Sequence, residues 1–251
     1  MDLISVTKEN IGQEHICCAI ANDTDCQVAA KKAWLFERFS DGLVFLKGNV
    51  RGKCFIEYIP AEHAWAPIEA DGYMYIDCLW VSGQYTGHGY ANLLLNACIE
   101  DCRAKGKSGL VIISAEKKKP FLSDPKFLRY KGFEVCDTAA PDYTLMYLAF
   151  DAAAEMPRFQ SRVKSPHVTE QGFVVYYTHQ CPFTAKYVPL LADAAKAKGV
   201  PFRAVRFETA EQARHAPAPC TSFSLFYQGE LVTSEIVSVK KFEKMLEDAG
   251  F

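Results

Sequence analysis

Tyr73-Met-Tyr-Ile-Asp-Cys-Leu-Trp-Val81, then Ser82-Gly-Gln-Tyr-Thr-Gly-His-Gly89, then Tyr90 to Gly106, then Gly109-Leu-Val-Ile-Ile-Ser-Ala115: these residues decide the fold. The first run is aromatic and aliphatic, which predicts a buried strand. Ser82–Gly89 has three glycines in seven positions and no apolar periodicity, the mark of a turn. From Tyr90 onward Leu93, Leu94, Ala97, Cys98 and Cys102 recur at helical spacing, and Lys105-Gly106 supplies a stop. Gly109–Ala115 is a second buried strand, closing a β-loop-α-β unit. Glycines let a backbone curl so that several N–H groups point into one space, and the helix behind adds partial positive charge at its first turn. Such a loop suits a phosphate or pyrophosphate.

The loop's details select among phosphate carriers. It ends Gly87-His-Gly-Tyr, without the Gly-Lys-Ser/Thr of a Walker loop. Gly87-His-Gly89-Tyr-Ala-Asn92 puts asparagine where a dinucleotide fingerprint has its third glycine or an alanine. Gln84-x-x-Gly87-x-Gly89, directly after Leu79-Trp-Val81, resembles the acetyl-CoA-binding motif of the GNAT family of N-acetyltransferases. Lys126-Phe-Leu-Arg-Tyr-Lys-Gly-Phe-Glu134 is similar to that family's short helix ending in Gly-Phe-Glu. The resemblance spans residues 1–150 and implies a mixed α/β sheet with flanking helices.

Composition sets the outer bounds. The 251 residues suffice for one large domain or two modest ones. With 49% hydrophobic and 23% charged residues, the chain has the make-up of an ordinary globular protein. A net charge of -2 gives no basic field for nucleic acid and no cationic tail for a membrane surface. No apolar run approaches a membrane span, and the N-terminus lacks the start of a signal peptide. Ten scattered cysteines with no Cys-x-x-Cys pair favour reduced thiols in a cytoplasmic protein over a disulfide scaffold, a zinc ribbon or a dithiol redox centre. Cys17-Cys18 and Cys26 lack the spacing of a metal site, so no metal is expected.

Upstream of the central unit, a helix is expected up to about Ser40, capped by Asp23 or Thr24. Leu43–Lys47 and Lys53–Ile59 form a hairpin across Gly48–Gly52, and Pro60 stops its second strand. Ala61-Glu-His-Ala-Trp-Ala-Pro67 is expected as an exposed loop. Downstream, Lys117–Lys119 form a solvated turn or meet a phosphate, and Asp142–Phe150 is a closing strand. Residues 151–167, with two prolines and little periodicity, are expected to link two domains. Residues 168–251 then run strand (172–178), helix opened by Cys181-Pro-Phe-Thr184, parallel strand (200–207), short helix, hairpin at Gln228-Gly229 and a terminal helix packed by Phe242, Met245 and Leu246. That order is similar to the thioredoxin-like fold. The pairing of the two parts resembles the YoaP-type acetyltransferases.

In chemical terms, acetyl transfer to an amine requires two positioned reactants, a proton acceptor and stabilisation of an oxyanion. The resemblance implies acetyl-CoA as cosubstrate, held by the backbone of Leu79, Trp80 and Val81 and by loop amides of Gln84, Tyr85, Thr86, Gly87, His88, Gly89 and Tyr90. Strand alternation puts Tyr75, Asp77, Leu79 and Val81 on one face. Asp77 is the titratable residue there, and an apolar strand should raise its pKa into a range that suits a base. Binding a neighbouring loop is an equally open role for it. Glu116 and Glu57 stand in reserve. The position at which relatives carry an acid tyrosine is Leu128 here. Tyr130, roughly 200° further around a helix, does not simply replace it, so the acid role is open to water or to no acid.

In the second part, Cys181 at a helix start before Pro182 should have a lowered pKa. Thr184 stands where a dithiol enzyme has its resolving cysteine, and Thr221 where the family has a cis-proline. Cys220 is the other thiol expected near Cys181. The expected function is acetyl transfer to a small-molecule or peptide amine, with a coenzyme A-binding thiol sensor or monothiol oxidoreductase acting through Cys181 as the alternative. Neither the acceptor nor an oligomeric state is selected by any residue.

Overall fold

A computed structural model describes residues 1–16, 22, 24–151 and 153–251. Asp23 and Cys17-Cys18 lie outside the described residues. The first part of the chain forms β1 (Leu3–Val6), α1 (Cys26–Arg38), β2 (Val44–Gly48), β3 (Cys54–Pro60), β4 (Ile68–Glu69), β5 (Tyr73–Val81) and α2 (Tyr90–Ala104). It continues through β6 (Gly109–Ala115), α3 (Pro125–Tyr130), β7 (Glu134–Ala139), β8 (Tyr143–Ala149) and β9 (Arg158–Phe159). The remainder is β10 (Phe173–Tyr177), α4 (Phe183–Ala197), β11 (Phe202–Arg206), α5 (Ala210–Arg214), β12 (Phe223–Tyr227), β13 (Glu230–Thr233) and α6 (Val239–Asp248). Among the described residues no helix is long and apolar enough to cross a membrane.

Seven strands make the first sheet, in the order β1-β2-β3-β5-β6-β8-β7. Its pairs are antiparallel except β5 with β6, the two strands of the β-loop-α-β unit. This is the mixed α/β sheet with flanking helices that the sequence resemblance implies. One face is covered by α2 and α3, where Leu94, Leu95, Cys98, Cys102 and Leu128 pack on Ile56, Met74, Ile76, Leu110 and Ile112. The buried stripe of α2 uses Leu95 in place of the expected Leu93, which is 37% exposed. The opposite face carries Phe45, Phe55, Tyr73, Tyr75, Val111 and Leu145, covered by Trp34 and Leu35 of α1. Asp25 caps α1, its side chain accepting from the Gln27 N–H at 2.9 Å, one place later than the nearer of the two expected caps.

The second sheet has the order β11-β10-β12-β13, with β10 parallel to β11 and antiparallel to β12. Helices α4 and α6 cover one face through Val188, Leu191, Phe242 and Leu246. Phe207, Ala213, Ala216 and Cys220 join the hydrophobic core of the first sheet instead, so α1 shares its side of that sheet with residues 207–220. This packing buries the loop that the sequence left exposed. Trp65 is 5% exposed, its backbone oxygen accepts the Thr221 hydroxyl at 2.5 Å, and Arg214 reaches the Ala64 oxygen at 3.4 Å.

Within the expected linker, residues 158–164 are tied down rather than slack. Strand β9 pairs with β4, the Gln160 N–H bonds the Pro67 oxygen at 2.9 Å, and Asp137 accepts from the Phe159 N–H at 2.9 Å and from Lys164 at 2.8 Å. Phe159 and Val163 are buried at 1% and 0% exposure, each stabilising the strap by about 2 kcal/mol. Low periodicity hid this because two anchors within five residues leave no repeat to read.

Candidate functional site

Strand β5 shapes the site through two departures from regular pairing. On one side it stays joined to β3 as far as Cys54↔Val81. On the other it meets β6 only at Tyr73–Tyr75 opposite Gly109–Val111, after which β6 goes on pairing with β8 alone. From Ile76 to Val81 one edge of β5 therefore faces an open wedge, with backbone groups free of a strand partner.

The second departure is a bulge. Glu57 stands opposite Cys78 and Tyr58 opposite Ile76, which makes Asp77 the extra residue. An added residue reverses the alternation beyond it. Tyr73 and Tyr75 face α1 and Met74 and Ile76 face α2, but past Asp77 it is Cys78 and Trp80 that pack toward α1, and Leu79 and Val81 toward α2. The expectation that Tyr75, Asp77, Leu79 and Val81 share one face is thereby corrected. Sequence alternation carries no sign of a bulge when both faces are apolar.

Beyond the wedge, residues 83–85 form a single 3-10 turn closed by the Thr86 N–H on the Gly83 oxygen at 3.1 Å. Thr86 thus spends its amide inside the loop, unlike the N–H groups of Gly87, His88, Gly89 and Tyr90, which have no backbone acceptor among the described residues. Gly87 (φ 85°) and Gly89 (φ 76°) are left-handed, and a Cβ on either would meet nothing within 4 Å. Gly89 opens α2 with no side-chain cap, leaving the first-turn amides available. Tyr85 packs against the backbone of Gly52, and Lys53 lies over the Trp80 ring at 4.4 Å, anchoring the loop to the β2–β3 hairpin. His88 is exposed and stacks on Tyr90 at 5.7 Å. Amides without a backbone acceptor at a helix start are a setting that could take an anion such as a diphosphate.

Toward α1 the site is acidic and closed. Lys31 and Glu57, both 1% exposed, form an ion pair of 2.5 Å. Lys31 also donates to the backbone oxygen of Gln180 at 2.7 Å, and the Gln180 amide donates to the backbone oxygen of Asp77 at 3.2 Å. Asp77 is half-buried as a residue, yet its Oδ2 is sealed from solvent without a partner, as is Glu57 Oε1. Burial pushes the Asp77 carboxyl well above the usual range; the nearby Glu57 adds to the rise and Lys31 opposes it. Burial, reinforced by Asp77, also raises the Tyr75 hydroxyl.

The remaining expected residues are scattered. Tyr130 is 80% exposed on α3 and Glu116 is exposed at the end of β6, so neither joins Asp77. Lys119 pairs with Asp142 at 2.5 Å, and Lys117 and Lys118 are exposed. Cys181 is close enough to Lys31 and Glu57 to feel both charges, and burial pushes its thiol up to about 11, outweighing the lowering by the Phe183 N–H and by Lys31. The expected lowered pKa is overturned because α4 begins two residues later, at Phe183, and the thiol is buried. Cys220 is not beside Cys181. It is 8% exposed near Tyr143 and Ser234, whose hydroxyls bond at 2.6 Å, and burial lifts its thiol to about 12. Both cysteines are free thiols.

Lys31 and Gln180 escaped the sequence reading. Lys31 had a visible signal, falling at helical spacing among Gln27, Val28, Trp34 and Leu35, the buried stripe of α1. Gln180 had none, because its importance depends on how the second sheet sits on the first.

The family model described as Acetyltransferase (GNAT) family matches residues 9–119, and that described as YoaP-like matches residues 201–244. The chain is 45% identical over 247 residues to the uncharacterized N-acetyltransferase YoaP of Bacillus subtilis, covering 98% of each chain. Among solved structures, a ribosomal-protein-alanine N-acetyltransferase of Brucella melitensis is 19% identical, covering 60% of this chain and 100% of its own, with a TM-score of 0.44. The protein yncA of Salmonella typhimurium, solved with acetyl-CoA, is 18% identical, covering 62% of this chain and 96% of its own, with a TM-score of 0.44.

Proposed function

We propose that this chain, which belongs to the GNAT family of acetyltransferases and carries a YoaP-like C-terminal region, transfers an acetyl group from acetyl-coenzyme A directly to an amine. One observation carries the reading: the free edge of β5 runs straight into the unpartnered amides of Gly87–Tyr90, with Asp77 on the same strand. The pantetheine arm would lie in the wedge along Leu79–Val81 like an added strand, and the diphosphate on the amides ahead of α2.

Asp77 then serves as proton acceptor. The amine nitrogen attacks the thioester carbonyl, a C–N bond forms, the C–S bond breaks, and the electron pair leaves on the coenzyme's sulfur. The amine's proton passes to Asp77, whose raised pKa matches the task. No side chain is needed to protonate the departing thiolate, itself a good leaving group. Cys181 and Cys220, with thiols raised by burial, are poorly suited to thiolate chemistry near neutrality.

Calorimetric titration of the full chain with acetyl-coenzyme A, followed by turnover with an amine panel, tests this. Saturable binding and amine-dependent release of coenzyme A are expected. No binding at millimolar donor would overturn the assignment.

A further inference from the structure

A cavity of about 430 Å³ lies at the opposite end of β5 from the glycine loop. Its walls come from three parts of the chain: residues 61–71 ahead of β5, the strap at Glu155–Gln160, and Arg214 of α5. Asp71 stands two residues before β5, whose nine residues run from Tyr73 to Val81, so about 30 Å of extended chain separates the cavity from the glycine-loop amides. The volume is that of a small-molecule site.

Six charged side chains line this space, and four of them are matched. Glu62 takes Lys107 Nζ at 2.9 and 3.0 Å and the Gly72 N–H at 3.0 Å. Arg158 bonds Glu69 at 2.6 Å and reaches Glu155 at 3.6 Å. The other two are left over, with opposite signs. Half-buried Arg214 makes only a long bond, from Nε to the Ala64 oxygen at 3.4 Å, and exposed Asp71 has no side-chain partner among the described residues. The two share one cavity but do not meet as an ion pair. The guanidinium fork of Arg214 suits a carboxylate, and Asp71 suits an ammonium. A molecule that carries both charges close together answers both. Four carboxylates against two arginines on the same walls disfavour a phosphate. Between the charges, Ile68, Ala70 and Met156 offer apolar wall to an aliphatic side chain.

We propose that this cavity is a second ligand site, apart from the acetyl-transfer centre, that takes a free α-amino acid with an aliphatic side chain. Its carboxylate pairs with Arg214, its ammonium with Asp71, and its side chain lies on Ile68 and Ala70. The site stands whether or not the acetyl-transfer reading does. An occupant touches the first sheet's entry to β5, the strap and α5 together, so it also covers the chain at Glu155.

The test is calorimetry on the full chain with L-leucine, with 4-methylpentanoate, which lacks the ammonium, and with 3-methylbutylammonium, which lacks the carboxylate. Leucine should bind, and each single-charge analogue should bind roughly tenfold more weakly or worse. Arg214→Gln and Asp71→Asn should each weaken leucine to a similar degree, while the melting temperature and the affinity for acetyl-coenzyme A hold. Saturating leucine should slow cleavage by a glutamate-specific protease after Glu155 in wild type and not in Arg214→Gln. The proposal is overturned if leucine fails to bind at millimolar concentration or if either analogue binds as well. It is equally overturned if leucine binding survives both substitutions, which would place the amino acid elsewhere, as an acetyl acceptor for instance.

Discussion

Asp77 combines a buried carboxylate, a bulged backbone and a carbonyl held from across the molecule, and its titration can be followed in two independent ways. In catalysis, Asp77→Asn should lower turnover by about 10²–10⁴-fold and abolish the acid limb of the pH profile. In stability the sign is opposite to that of an ordinary salt-bridged aspartate. The folded state binds the proton more tightly than the unfolded chain, so stability falls as pH rises from the unfolded pKa toward the raised folded one. Urea unfolding at several pH values should show Asp77→Asn gaining on wild type as pH rises through that window. Cys181 offers a second check at this scale. Peptide mapping after iodoacetamide should show its labelling rising about tenfold per pH unit from pH 7 to 10, because only the thiolate reacts, with no plateau near neutrality, as the thiol's rise to about 11 requires. What was legible from sequence was local: the turn glycines Gly87 and Gly89, both left-handed, and the raised carboxyl of Asp77. Lys31 was legible in principle as a charge on an apolar stripe, and Gln180 was not.

At the scale of elements, the β-loop-α-β unit was readable because its signals are short-range: a strand's aromatic run, glycines at left-handed positions, a helical stripe. Residues that needed a partner to be interpreted went astray. Ala61–Pro67 looked exposed until Thr221 and Arg214 covered it, and the faces of β5 were misassigned because a bulge is decided by two strands together. The loop's geometry yields a direct expectation. Gly87 sits at φ 85°, where any Cβ is strained although nothing crowds it. Gly87→Ala should cost about 1–2 kcal/mol of local conformational energy. Relaxation away from that geometry would turn amides off the diphosphate, so calorimetry should show acetyl-coenzyme A binding weakened roughly tenfold with the melting temperature little changed. Unaltered donor affinity would mean that these amides do not bear the phosphates.

For the whole molecule, the second sheet is joined to the first by more than sequence. Residues 207–220 extend the first sheet's core, and Gln180, Thr221 and Ser234 each bond to a residue before 150. The pairing of two such parts was anticipated from element order, but which surfaces meet is set by complementarity that no one-dimensional pattern records. The strap of residues 158–167 completes the arrangement, since β9 pairs with β4, Phe159 and Lys164 bond Asp137 of the first sheet, and His167 bridges to Glu230. Just ahead of β9, Glu155 and Met156 stand exposed, whereas Pro157 and Phe159 beyond them are buried. Limited digestion with a glutamate-specific protease should therefore nick the chain first after Glu155, and size-exclusion chromatography should find both pieces eluting together at the mass of the uncut protein. Covalent continuity at that one peptide bond would then be dispensable, and the enzyme could be assembled by complementation from two separately made halves.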